Sequence, residues 1–287
     1  MSGIYAIVEV TTYGWGSSQV LGFGALAAVL MAAFIAVQAR IENPIMPLRI
    51  LRLPGLISAS LIRGFLVVGM YSTFFLVTLY LEQVRGFSAL QTGAAFLPWT
   101  LTVAVLSRGI TARLVERFGP IPVLTAGMAS AAAGLLLLTG IDAGTAFFPT
   151  IFFATFLIGL GIGNAFMPLL TLAMADVPAA DAGLGSGITN VSQQISGALG
   201  LAVLSTLAAD HTQGLIDGGT GTTEALISGY HLAFFAGAAV IGVGIVLALT
   251  LLPRVARVEA ELGELPEPEL GELPDLEPAL EFDRQAA

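Results

Sequence analysis

The chain has 287 residues, 56% of them hydrophobic and 11% charged, with a mean hydropathy of +0.88. That balance lies far from soluble globular composition and marks an integral membrane protein. Cysteine and lysine are absent, all 11 basic residues being arginine, so disulfides and thiolate chemistry are excluded. The net charge of −9 is local: from Glu259 onward there are 10 acids against one arginine, whereas the residues before it balance at 10 and 10. It gives no reason to invoke a cationic substrate.

In chain order, residues 1–10 hold an apolar scrap, Gly3–Val10, too short to span and interrupted by Glu9. It reads as the end of a preceding span or as a disordered start. Tyr13-Gly-Trp-Gly is an aromatic turn suited to a membrane interface. A first span is expected over about Val20–Val37, followed by a basic, proline-punctuated stretch with Arg40, Arg49 and Arg52. The second span is expected over Leu56–Leu81, with Arg63 in its first turns snorkelling back to the interface. Ser88 and Gln91 form a capping-box pattern that opens the third span, which is expected to end near Arg108. A basic turn, Arg113–Gly119, leads to a fourth span over Pro122–Thr139.

The stretch Phe156–Leu207 holds the fifth and sixth spans around a short polar turn, Asp176–Asp181. A polar loop is expected over Asp210–Gly229 and a seventh span over His231–Leu252. Each span meets the roughly 18–20 residues needed to cross a hydrocarbon core. Arginines 40, 49, 52, 108, 113, 117, 254 and 257 fall on one side, with Arg63 nearest to it and only Arg85 opposite. This predicts a cytoplasmic C-terminus. The last segment carries an acidic, Pro-rich near-repeat, Glu261–Pro268 and Glu269–Leu276, expected to be a solvated, disordered tail.

Within the spans, Asn190 and Gln194 lie four apart and share a helix face with Gln193 nearby. Amides at membrane depth face a partner or a cavity, so these three read either as a hydrogen-bonding patch on a substrate path or as interhelical glue. Asn164, Trp99, Tyr71 and Phe96 are candidate cavity linings by depth. Gly159 with Gly163, and Ser196 with Gly200, have the four-residue spacing of close helix packing. Glu82, at the outer end of the second span, is a candidate proton site or an interfacial acid paired with Arg85. No carboxylate lies at mid-span.

The loop Arg113-Leu-Val-Glu-Arg-Phe-Gly119 resembles the signature loop of the major facilitator superfamily, with Leu114, Glu116, Arg117 and Gly119 matching. Ala112 stands where a glycine is usual, and Glu116 replaces an Asp. The segments Leu76–Pro98, Phe156–Pro178 and Ala182–Leu204 are similar to spans in the C-terminal half of fourteen-span drug:proton antiporters of that superfamily. The resemblance implies an all-α membrane bundle: an outer segment (1–19), a linker span (20–38), a cytoplasmic loop (39–54), a six-span transporter half (55–252) and the acidic tail (253–287). It implies efflux of small organic molecules in exchange for protons across a bacterial inner membrane. The expected partners are lipid, substrate, proton, and an N-terminal half or a second copy. Residues 113, 116, 117 and 119 would form a cytoplasmic latch that pairs in one conformer and releases in another. Many relatives carry Arg where this chain has Gln193.

Other classes fail on residues. A retinal Schiff base needs a lysine. His211 and His231 flank the expected outer loop rather than pairing at depth. Ser186 lacks the Gly-x-Ser-Gly pattern of an intramembrane protease. Metal-ligand spacing and Ser/His/Asp triads are absent. The expectation is a transporter with no enzyme activity, cofactor, metal or nucleic acid; the alternative is a non-transporting membrane subunit that pairs with another transporter half.

Overall fold

The structure, a computed structural model, describes residues 17–38, 40–41 and 48–263. The Gly3–Val10 scrap, the Tyr13 turn, most of the stretch before Leu48 and most of the acidic repeat lie outside the described residues. Among the described residues, seven helices are long and apolar enough to cross a membrane: Ser18–Gln38, Pro54–Val84, Ala89–Phe118, Pro120–Leu138, Phe147–Met174, Ala179–Asp217 and Thr222–Pro253. They are numbered here as the first to seventh spans. The first is apolar on every face and almost wholly exposed, as expected of a helix whose solvent is lipid.

Proline at the first turn starts the second and fourth spans, where the missing N–H is no loss. The third begins at the expected capping box: the Gln91 amide donates to Ser88 Oγ at 3.4 Å, and the Ser88 amide to Gln91 Oε1 at 2.9 Å. That span is not straight. It bends at Arg108–Gly109, where Gly109 has φ +100°, a left-handed value that suits glycine. The helix then resumes over Thr111–Phe118. The segment expected as a basic turn is therefore helical, and the chain reverses only at Gly119, φ +85°.

A second departure lies at the opposite end. The sixth span continues to Asp217 and the seventh begins at Thr222, so the expected 20-residue polar loop shrinks to Gly218–Gly221. Polar residues on one face of a helix end weaken the apolar signal without weakening the helix. The helix of the seventh span is assigned through Gly263, so its last turns carry the start of the segment expected as tail.

Packing within Met1–Pro253 follows the small residues. A methyl group on Gly127 would sit 2.8 Å from the Gly161 carbonyl oxygen, and one on Gly134 2.7 Å from that of Ala154. The fourth and fifth spans thus meet backbone against backbone. The other side of the fifth span touches the third, with Gly159 against the Trp99 backbone and Gly163 against Leu106. The second and sixth spans meet at Gly64 against Ser196, Val68 against Gly200 and Tyr71 against Gly197. Close approach of this kind replaces the missing hydrophobic drive between helices in lipid. Leu66, Leu124, Met128, Leu135, Ile158 and Phe234 fill the centre, all buried.

Candidate functional site

Two adjoining cavities open between these contacts. One, about 410 Å³, is apolar and lined by Met70, Tyr71, Phe74, Phe75, Trp99 and Leu201. Phe74, Phe96 and Trp99 form an aromatic cluster beside it, the Trp99 ring edge-on to both phenylalanines at 6.4 and 6.1 Å. The second, about 620 Å³, has Met70 in common with the first. Its polar rim comes from Ser107, Thr111 and Gln193, and Gly109, Gly163 and Phe166 complete the wall.

The residues expected on a substrate path separate. Gln193 lines the larger cavity, and its Oε1 is buried without a hydrogen-bond partner among the described residues. Tyr71 and Trp99 line the smaller one. Gln194 is exposed and accepts a long hydrogen bond, 3.4 Å, from the Tyr71 hydroxyl. Asn190 is exposed. Asn164 does not behave as a lining residue: it is buried, donates to Leu160 O at 3.0 Å and accepts from Thr111 Oγ1 at 3.2 Å. It braces the fifth span against the helix that follows the bend.

Arg63 also departs from expectation. Its guanidinium lies 4.9 Å over the ring centroid of Phe166 on the fifth span, and its Nε is buried. Helices apolar on all sides hide which face a lone arginine takes, so the periodicity carried no signal for this.

At the arginine-rich end, Arg113, Glu116 and Arg117 are exposed on the short helix before Gly119. The Arg117 guanidinium lies 5.2 Å from the Phe118 ring. Among the described residues none of the three forms an ion pair. The ion pair present links Arg49 to Asp181 at 2.9 Å. Asp176 accepts from the Gly55 amide at 2.9 Å, where a carboxylate suits the helix start. The Asp176–Asp181 turn, in sequence a polar turn without positive charge, therefore anchors the start of the second span.

At the other end, Tyr80 donates to Asp142 O at 2.7 Å, Arg85 to Ala143 O at 2.7 Å, and His231 meets Ile141 O at 2.5 Å. Arg85 does not pair with Glu82, which is exposed in this chain, without the burial a desolvated proton site calls for. The Asp142 carboxyl is held below its ordinary range by the Thr145 hydroxyl and the Gly144 amide. Tyr230 donates to Gln83 at 3.0 Å beside a third cavity of about 740 Å³ that Asp210 also lines. Among the described residues no cluster of side chains could hold a metal ion.

Comparison with known proteins places this architecture. The family model of the Major Facilitator Superfamily matches residues 12–201. The chain is 34% identical over 276 residues to the puromycin resistance protein pur8 of Streptomyces alboniger, covering 91% of this chain and 53% of that protein. It is 29% identical over 252 residues to the cephamycin export protein CmcT of Amycolatopsis lactamdurans, covering 88% and 50%. It is 32% identical over 208 residues to the multidrug resistance protein Stp of Mycobacterium tuberculosis, covering 72% and 38%. The chain thus spans about half the length of the relatives it matches, or less.

Proposed function

The chain belongs to the major facilitator superfamily, and from that premise we propose that it forms the C-terminal half of an exporter of small organic molecules. It is a multi-pass membrane protein of a transporter family, not an enzyme. The observation that carries the export reading is its likeness, across most of its length, to proteins named for antibiotic resistance and export. The two adjoining cavities support it, since together they offer an apolar, aromatic surface beside a few polar groups, as small-molecule sites do.

Transport in this fold needs two halves that rock about a midplane site. We assign the complementary half to the same polypeptide, to a separate chain or to a second copy. Proton antiport in a bacterial inner membrane, with the arginine-rich end in the cytoplasm, belongs to the same reading. No carboxylate lies at mid-span in the described helices, so the coupling carboxylate is assigned to the complementary half.

The test is dye efflux from cells that express the chain with its complementary half. Active, energy-dependent extrusion is expected, and it is expected to stop when an ionophore collapses the proton gradient. Extrusion that survives the ionophore removes proton coupling and leaves export standing. If the two halves together give no extrusion of any amphipathic dye, the chain acts instead as a non-transporting partner. Gln193→Leu is expected to lower flux more than Gln194→Leu, because Gln193 lines the 620 Å³ cavity and Gln194 is exposed.

A further inference from the structure

The third cavity, about 740 Å³, lies between the second, sixth and seventh spans at the end opposite the arginines. Gln83 lines it near the end of the second span, Asp210 late in the sixth and Tyr230 early in the seventh. The sixth and seventh spans touch beside it, since a methyl group on Gly229 would sit 2.5 Å from the carbonyl oxygen of Ala208, a lining residue. Phe75 is a wall both of this cavity and of the 410 Å³ aromatic pocket, as Met70 is of that pocket and the 620 Å³ cavity. The three cavities therefore form a series along the second span, and this one ends it.

Its polar groups are of one kind. Asp210 is exposed and forms no hydrogen bond or ion pair among the described residues. No arginine or histidine lines the cavity. Ser205 and Thr212 spend their hydroxyl protons on the carbonyls of Ala202 and Ala208, and Gln213 donates to Asp217. The wall is thus richer in lone pairs than in free donors. Phe75, Leu76, Leu79 and Leu226 supply apolar surface next to the carboxylate. The wider field has the same sign: Glu82, Asp142, Asp217 and Glu224 lie at this end of the bundle. Arg85, the arginine at this end, is turned to the Ala143 carbonyl. A mouth lined by one sign of charge concentrates the opposite sign.

We propose that this cavity is an exit subsite in which the Asp210 carboxylate pairs with the ammonium group of an amphipathic organic cation. The inference rests on the export reading and adds to it the charge of the cargo and the place where it leaves. An exposed carboxylate attracts weakly and is screened by salt, which suits a site that must release what it holds. An organic acid of the same shape would meet a like charge and be disfavoured.

The experiment compares pyrenebutyl-trimethylammonium with its neutral isostere, in which carbon replaces the quaternary nitrogen. Binding to the chain in phosphatidylcholine nanodiscs is read by equilibrium dialysis, with empty nanodiscs subtracted for lipid partitioning. At low salt the cation is expected to bind about fivefold more tightly than the isostere, and 1 M salt is expected to remove the difference. Asp210→Asn is expected to bring the two probes to near equality. Asp217→Asn, at the same end but outside the cavity lining, is expected to keep the preference. Equal binding by the unsubstituted chain overturns the cation subsite and leaves export intact. A preference that survives Asp210→Asn, or one that Asp217→Asn abolishes as fully, overturns the role of Asp210. Absence of binding by both probes overturns the subsite. Export is tested apart, by dye efflux with the complementary half; its failure alongside a cation preference here removes the exit role and keeps the binding site. Should Asp210→Asn fail to fold, the salt dependence of the unsubstituted chain and of Asp210→Glu decides, a preference unmoved by salt overturning the ion pair.

Discussion

The two ends of the bundle are closed by different chemistry. At the arginine-rich end the contacts run through carboxylates: Asp176 on the Gly55 amide and Asp181 on Arg49. At the opposite end Tyr80, Arg85 and His231 converge on backbone carbonyls of the turn Ile141–Ala143. A backbone carbonyl carries no titratable charge, and its position is fixed by the chain. A carboxylate can be neutralised or screened, and it sits on a side chain that can swing away. Of the two ends, the carboxylate end is therefore the one that a change of charge or salt can loosen.

The largest effect that would sharpen this contrast is expected from Asp176→Ala. The Gly55 amide is part-buried and would lose a charged acceptor, which costs roughly 1.5–3 kcal/mol of stability. Unfolding in mild detergent measures it, and a loss below about 0.5 kcal/mol would mean water replaces the carboxylate and the end is not closed there. Next, Tyr80→Phe removes the donor to Asp142 O and is expected to cost about 1 kcal/mol. This loss should be insensitive to salt, since no ion pair is broken. Asp181→Asn should cost less than about 1 kcal/mol, because Arg49 is largely exposed, and high salt should erase even that. A salt-resistant effect at Asp181, or a salt-sensitive one at Tyr80, would break the contrast.

The smallest expected effect is a pH dependence at the carbonyl end. Asp142 has its folded value lowered from 3.8 by Thr145 and Gly144. Its contribution is therefore present above 3.8 and lost as the pH falls through the lower folded value. Asp142→Asn should flatten this acid limb of the stability curve while leaving neutral pH unchanged. If instead the limb persists in the variant, other carboxylates carry it.

Much of the fold was legible because membrane crossing is a length criterion, and the seven runs declare themselves. Ser88 and Gln91 marked the start of the third span through a local motif with its own hydrogen bonds. What could not be read depends on contacts far apart in sequence or on facing. Asp176 and Asp181 looked like a bare acidic turn, because Gly55 and Arg49 lie more than 100 residues away. Arg63 looked like an interfacial anchor, since a helix apolar all round gives no sign of which side is inward. Asn164 is a candidate cavity lining by depth alone, and depth does not distinguish a brace from a lining. Gly109 does carry a local signal: Arg-Gly after a run of apolar residues suits a bend as well as an end.

The meeting of the fourth and fifth spans has a mechanical consequence. Where Gly127 meets Gly161 and Gly134 meets Ala154, carbonyl oxygens abut the glycines, with Ala131, Asn164 and Ile158 reaching in beside them. Sliding one helix along the other would drive those side chains into the backbone, so the two spans are expected to move as one strut. The second and sixth spans are fitted as tightly, but through the side chains of Ser196, Val68 and Tyr71. There a change of rotamer, rather than a shift of backbone, is enough to relieve the fit.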